Sequence, residues 1–371
     1  MMRLRRHRSD WFANLALALA GVWVGVLLFE SLLRIAKPVA VSTQHYPCIY
    51  QVNPELGYGY APGAVGRLYR DFEIDNRVEI NSSGFHDVDH GPKSEGEMRI
   101  VVVGDSFTAA LEVQTAETWT QMMQQTLRER GYAGLEVVNL GLDGTGSAAH
   151  LAILKRHLAR LQPDWVILAF FRNDLADMAG SRLYRACYRD YVLFFQQAAQ
   201  HDQLRALVDR HERRYLSRWL FEQSYLFRAV AYWRYGPANL WRNNYIGPYH
   251  LGQTVERVTP PEAETIFQEF VELSEQYDFE FALLPVPSKE DGCDSLRVLR
   301  RHVFPTTLSR LTILDVSALL QERLAAEGRS YQDMFWVHDG HLNVAGNRIL
   351  GAAAAEAIIT YLNGQIIEGR C

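Results

Sequence analysis

Arg99-Ile100-Val101-Val102-Val103-Gly104-Asp105-Ser106-Phe107-Thr108 is the segment from which the architecture follows. Four consecutive β-branched side chains make a short strand, and a glycine followed by small polar residues ends it in a turn. Working outward, Trp119, Met122, Met123 and Leu127 share one helical face, and Glu136 to Leu140 reads as a second strand. Leu151, Leu154, Leu158 and Leu161 mark a helix. Trp165 to Phe171 is an apolar run short enough to be a strand buried on both faces. After a long interruption, Thr259-Pro260-Pro261-Glu262 forms a capping box with proline at the first helical position. Phe279 to Val286 and Leu311 to Val316 supply two more strands, and Asn343 caps a helix running to about Leu362. Five strands alternating with helices predict a three-layer α/β/α domain with a flavodoxin-like parallel five-stranded sheet.

The chain has 371 residues, 48% hydrophobic and 22% charged, which excludes disorder as its main state. Its formal charge of −5 is unevenly spread. Residues 1–37 contribute +4, residues 178–242 contribute +6 from eleven arginines against five acids, and the remainder carries −15. A nucleic-acid binder would spread positive charge over its folded face, so no nucleic-acid partner is expected. From Trp11 to Phe29 there are 19 uncharged residues, about 29 Å as a helix and therefore long enough to cross a bilayer. Ala36-Lys37-Pro38 is a poor cleavage site, which favours an uncleaved anchor over a signal peptide. Four arginines precede the span, so the N-terminus is expected in the cytoplasm and the body outside it. The expected organisation is an anchor over 1–36, a linker over 37–54, an α/β domain over 55–177 and 259–371, and a helical, aromatic and arginine-rich insertion over 178–258.

In a parallel sheet, chemistry sits beyond the carboxyl ends of the strands. There the chain places Gly104-Asp105-Ser106, then Gly141-Leu142-Asp143-Gly144, then Arg172-Asn173-Asp174, and late in the chain His338-Asp339-Gly340-His341. A hydroxyl nucleophile, two oxyanion donors and an acid–base pair are the parts that acyl transfer needs. Asp105 reads as a turn-holding residue. His338 and His341 have the spacing of two metal ligands without an apparent third, so no metal is expected, and Gly141, Gly144 and Gly146 match no nucleotide-binding fingerprint.

These blocks resemble the SGNH (GDSL-type) hydrolase family, through Ser106 in Gly-Asp-Ser, Gly144, Asn173 in Arg-Asn-Asp, and His341 with Asp339. Leu56-Gly57-Tyr58, Pro62-Gly63 and Asn81-Ser82-Ser83-Gly84-Phe85 extend the likeness to its membrane-anchored bacterial branch. The likeness covers about residues 50–177 and 260–362. Three positions depart from the family pattern. Phe171 stands where glycine is usual, His86 follows the Gly-Phe pair, and the acid lies two rather than three residues before His341, a spacing that acyl-transfer members share. In an extended segment residues i and i+2 project to the same side, so Asp339 is expected to reach the imidazole.

The resemblance implies a serine esterase in which Ser106 attacks, His341 is the base and Asp339 orients it, with Ser106, Gly144 and Asn173 forming the oxyanion hole and no cofactor taking part. Its expected substrate is an O-acyl ester such as one on a cell-envelope glycan, and its expected place is the bacterial inner membrane with the catalytic domain in the periplasm. An O-acyltransferase acting on an exopolysaccharide and a catalytically silent binding or assembly protein are the alternatives.

The insertion carries fourteen aromatics within residues 178–242. Leu204, Leu207, His211, Tyr215 and Trp219, and then Tyr225, Leu226, Ala229, Val230 and Trp233, recur at helical spacing. Of the four cysteines, Cys187 and Cys293 follow the third and fourth strands, which neighbour each other in a flavodoxin-like order, so a Cys187–Cys293 disulfide is geometrically open to them, the alternative being two free thiols in flexible segments.

Overall fold

The structure, a computed structural model, describes residues 2–37, 43–71, 73–175, 184–213, 215–236, 249–250, 260–290 and 292–365. It opens with a long helix, α1 (Met2–Ala36), whose stretch Trp11–Ala36 is long and apolar enough to cross a membrane, its most apolar part unburied among the described residues. Five strands follow: β1 (Gln44–His45), β2 (Tyr50–Asn53), β3 (Gly57–Tyr60), β4 (Val65–Arg70) and β5 (Ile74–Glu79). They form an antiparallel β2–β3 hairpin and a small antiparallel sheet in the order β1-β4-β5.

The α/β unit is built from β6 (Met98–Gly104), α2 (Ser106–Ala109), α3 (Trp119–Glu129), β7 (Leu135–Asn139), α4 (Ser147–Leu161) and β8 (Trp165–Phe170). The insertion comprises β9 (Tyr184–Tyr188), β10 (Tyr191–Phe195), α5 (Ala198–Glu212), α6 (Tyr215–Gln223), α7 (Tyr225–Tyr235) and β11 (Tyr249–His250). Then come α8 (Pro260–Tyr277), β12 (Glu280–Pro285), α9 (Asp294–His302), α10 (Pro305–Leu308), β13 (Thr312–Ile313), α11 (Ser317–Ala326) and α12 (Val344–Leu362). Thr259, the expected cap of α8, lies outside the described residues.

The central sheet is parallel throughout, in the order β13-β12-β8-β6-β7, which is the flavodoxin-like order. Val101 to Val103 and Val166 to Phe170 are fully buried because helices cover both faces. One core cluster joins α4 and α8 to one face and to the N-terminal hairpins; the other joins α3, α11 and α12 to the opposite face. Neither contains a residue of α1. β6 is central, flanked by β7 and β8, so the loops after all three converge at one carboxyl edge.

Two expectations need correction. Among the described residues the insertion opens on a hairpin rather than a helix: β9 and β10 pair antiparallel with Tyr188 opposite Tyr191, leaving a two-residue turn. Arg189 and Asp190 in that turn both have positive φ, 48° and 65°, as a type I′ hairpin turn requires. Neither is the Asn or Gly that usually signals such a turn. The Cys187–Cys293 disulfide is also not formed. Cys187 is bonded to Cys48, with Cα atoms 5.4 Å apart, and Cys293 is disulfide-bonded elsewhere. The third and fourth strands, β8 and β12, are indeed neighbours. Cys187, however, sits on β9, which packs against the β2–β3 hairpin and so carries the thiol away from the sheet edge. Non-reducing peptide mapping is expected to recover Cys48 linked to Cys187; a Cys187–Cys293 peptide would contradict the structure.

Candidate active site

Ser106 is the first residue of α2, immediately beyond β6. The buried Asp105 caps that short helix, its carboxylate accepting from the Phe107 N–H at 2.9 Å, so its role is to hold the turn. On one side the loop after β7 presses against α2. A Cβ on Gly141 would come within 2.3 Å of the Ala109 nitrogen, which leaves room only for glycine. Asn139 fixes the approach, donating to the Thr108 carbonyl at 2.8 Å. The buried His86, in the position where the resemblance departs, also braces α2: its Nδ1 donates to the Ala109 carbonyl at 2.7 Å, and burial lowers its pKa.

His341 Nε2 lies 2.8 Å from Ser106 Oγ, and His341 Nδ1 lies 2.5 Å from Asp339 Oδ1. The same carboxylate oxygen accepts the His341 backbone N–H at 2.8 Å. Residues 338–341 therefore form a bend in which the Asp side chain folds back over the residue two ahead, an Asx turn, rather than the expected extended segment. That is how an Asp-x-His spacing brings acid and imidazole together. With Nδ1 donating to the carboxylate, Nε2 is left free to accept from the serine hydroxyl. Phe107 stacks beside the imidazole at 5.1 Å between centroids, and Phe171, the bulky replacement for glycine, covers Phe107 at 4.1 Å.

Gly144 and Asn173 occupy the loops after β7 and β8, the two strands flanking β6. Gly144 has φ +69°, and a Cβ there would come within 2.2 Å of Arg185 Nη2. The Asn173 turn is closed by Asp174, whose buried carboxylate accepts from the Phe171 N–H at 3.0 Å. His338 does not join the site; its backbone N–H donates to Glu73 at 2.8 Å.

Three further elements were not apparent from the sequence. Arg70, at the end of β4, pairs with Asp339 Oδ2, so each oxygen of that carboxylate has a partner. Glu112, almost fully buried, places Oε1 3.4 Å from His341 Nδ1. Glu112, Asp339 and His341 together offer three potential metal-donor atoms. That set is already engaged, because Arg70 occupies one Asp339 oxygen and the other accepts the His341 proton. The third element is a hub beneath Gly144. Asp143 accepts from the hydroxyls of Tyr50 at 3.0 Å and Tyr60 at 2.8 Å and from Arg185 Nη1 at 2.5 Å. Arg185 also lies over the Tyr58 ring at 4.1 Å. Burial opposes its charge, but Asp143 outweighs it and holds the guanidinium pKa well above its usual value; burial and then Asp143 push both tyrosine hydroxyls up. Beside the hub, burial drives His150 down to about 3, so it stays neutral against the Thr145 hydroxyl at 3.1 Å.

A serine, histidine and aspartate in unbroken contact at the carboxyl edge of a flavodoxin-like sheet coincide with a match of residues 102–244 to the GDSL-like lipase/acylhydrolase family. Over those residues the chain is similar to the SGNH (GDSL-type) hydrolases. The matched segment holds Ser106, Gly144 and Asn173, and the His341 block lies beyond it. It is similar to the esterase TesA of Pseudomonas aeruginosa, 39% identical over 85 residues, which cover 23% of this chain and 42% of TesA. The chain thus spans less than half the length of that relative. Among solved structures, TesA is 16% identical with a TM-score of 0.38, over 70% of this chain and 98% of that one. The esterase EstA of Pseudoalteromonas sp. is 13% identical with a TM-score of 0.36, over 72% and 100%. The acetyl xylan esterase AlAXEase has the same identity and TM-score, over 70% and 100%.

Arg185→Met removes one side of the buried pair and leaves Asp143 without its cation. Unfolding in denaturant is expected to show a loss of about 3–5 kcal/mol, and a change below about 1 kcal/mol would mean that the hub does not hold the loop.

Proposed function

We propose that the protein is a membrane-anchored, extracytoplasmic serine esterase that removes O-acyl groups, most simply O-acetyl, from a cell-envelope glycan. The observation that carries this is the chain of contacts from Ser106 Oγ through His341 to Asp339. In the proposed reaction Ser106 attacks the ester carbonyl while His341 Nε2 takes its proton, because serine is a weak nucleophile at its own pKa. Asp339 fixes the imidazole tautomer and stabilises the imidazolium. The Ser106 and Gly144 backbone N–H groups and the Asn173 amide receive the developing oxyanion. His341 returns the proton to the leaving alcohol, and water, activated by the same histidine, releases the acid from the acyl-serine. A glycan hydroxyl in place of that water turns hydrolysis into acyl transfer.

The location follows from three supports. Residues Trp11–Ala36 have the length and hydropathy of a span, four arginines precede it, and the Cys48–Cys187 bond suits an oxidising compartment. The reading therefore sets residues 1–36 as a single-pass inner-membrane anchor with the N-terminus cytoplasmic. It sets 37–54 as a linker, 55–177 with 259–371 as the periplasmic catalytic domain, and 178–258 as its insertion.

Ser106→Ala is expected to abolish turnover of a chromogenic acetyl ester and labelling by a fluorophosphonate, with an unchanged melting temperature. Retained turnover would sink the nucleophile assignment. Asp339→Asn is expected to lower kcat by roughly a thousandfold or more, since the amide misorients the imidazole. Arg70→Met is expected to lower kcat more than it raises KM, because it frees the acid without touching substrate; an effect on KM alone would place Arg70 in substrate binding instead.

A further inference from the structure

We propose that one face of α6 and α7, formed by Leu216, Trp219, Val230 and Trp233, lies in the lipid head-group layer of the bilayer that α1 crosses. These four side chains are exposed by 67%, 47%, 51% and 85%. Among the described residues the exposed tryptophans are Trp11 and Trp23 on α1, and Trp219 and Trp233 here; Trp119 and Trp165 are buried. Leu226, Val230 and Trp233 follow at i, i+4 and i+7 and so share one face of α7, while Arg228 and Ala231 are buried on the other. Leu216 and Trp219 repeat the pattern on α6 at i, i+3.

What identifies the occupant is where α1 holds this face. Glu30 is the first charged residue after the apolar run, and its carboxylate accepts from the Ser224 hydroxyl at 2.9 Å and from the backbone N–H groups of Tyr225 and Leu226 at 3.0 and 2.8 Å. Those are the unsatisfied donors of the first turn of α7. One turn later Arg34 pairs with Glu30 and donates to the Gln223 carbonyl. The start of α7 is thereby fixed within about one helical turn, roughly 5 Å, of the end of the hydrocarbon-length segment. At that level the protein turns polar: a cavity of about 560 Å³ opens there, lined by Arg34, Tyr69, Tyr225 and Arg228 among others. Tryptophan with arginine close by is the composition that settles at a membrane interface, and Arg234 stands exposed beside Trp233 in a segment of net charge +6.

This proposal rests on α1 being retained as a span and not on the esterase chemistry. The test uses the full chain in nanodiscs of phosphatidylethanolamine and phosphatidylglycerol, with a benzophenone amino acid placed singly at Leu19, Val230, Trp233 or Tyr277. Leu19 is the positive control within the span; Tyr277, exposed just before β12 at the opposite edge of the sheet, is the negative control. Illumination is expected to give lipid adducts at Leu19, Val230 and Trp233, with at least a tenfold lower yield at Tyr277. Adducts at Leu19 alone would overturn the proposal and keep the anchor. Chain-to-chain products at Trp233 in place of lipid would overturn it in favour of self-association. Absence of adducts at Leu19 would remove both anchor and proposal while leaving esterase turnover to be judged separately.

Discussion

The carboxylate of Asp339 is held from both sides, by His341 through one oxygen and by Arg70 through the other. A carboxylate with one partner can swing about its side-chain torsion; with both oxygens engaged it sets the plane of the imidazole, and through it the approach to Ser106. Arg70 does not belong to the parallel sheet. It ends β4, so the small N-terminal sheet is a wall of the site rather than an appendage. Its neighbour Asp71 pairs with the buried Arg228 of α7, and the first turn of α7 is capped by Glu30 of α1. Contacts therefore run without interruption from the apolar helix to the serine.

The Asp143 hub plays the matching part on the other side of Ser106. Tyr50 and Tyr60 come from the N-terminal hairpin, Arg185 from the insertion, and Asp143 from the loop after β7. Three segments far apart in sequence meet on one carboxylate directly beneath Gly144. The Cys48–Cys187 bond ties the same two accessory segments together. The α/β unit supplies the strand ends, and the accessory pieces fix the loops that leave them.

This division explains what could be read from the sequence. Val101 to Val103 and Val166 to Phe170 announce strands buried on both faces because burial leaves a continuous apolar trace. Ser106 and His341 stand at the ends of readable elements. Arg70, Glu112 and Arg185 left no such trace, since a long-range ion pair has no period and an arginine on a short strand resembles any solvated arginine. The β9–β10 hairpin was hidden by a turn of Arg189 and Asp190, and with it went the correct partner of Cys187. Asp339 meets the imidazole by a different local geometry from the expected one: the bend, not an extended strand, brings the two together.

The charges around His341 also bear on the proposed reaction. By formal charge Arg70, Asp339 and Glu112 sum to −1 around the imidazole, in a pocket where Asp339 and Glu112 are nearly closed off from water. When His341 takes the serine proton, that cluster becomes neutral, and the negative charge appears instead on the oxyanion. The overall charge of the site is unchanged; it has moved from the carboxylates to the donors of the Ser106, Gly144 and Asn173 loops. In a setting of low effective dielectric, displacing a charge toward waiting donors is favourable where creating a new one is not. Arg70, paired with Asp339, keeps that carboxylate in place as the charge moves.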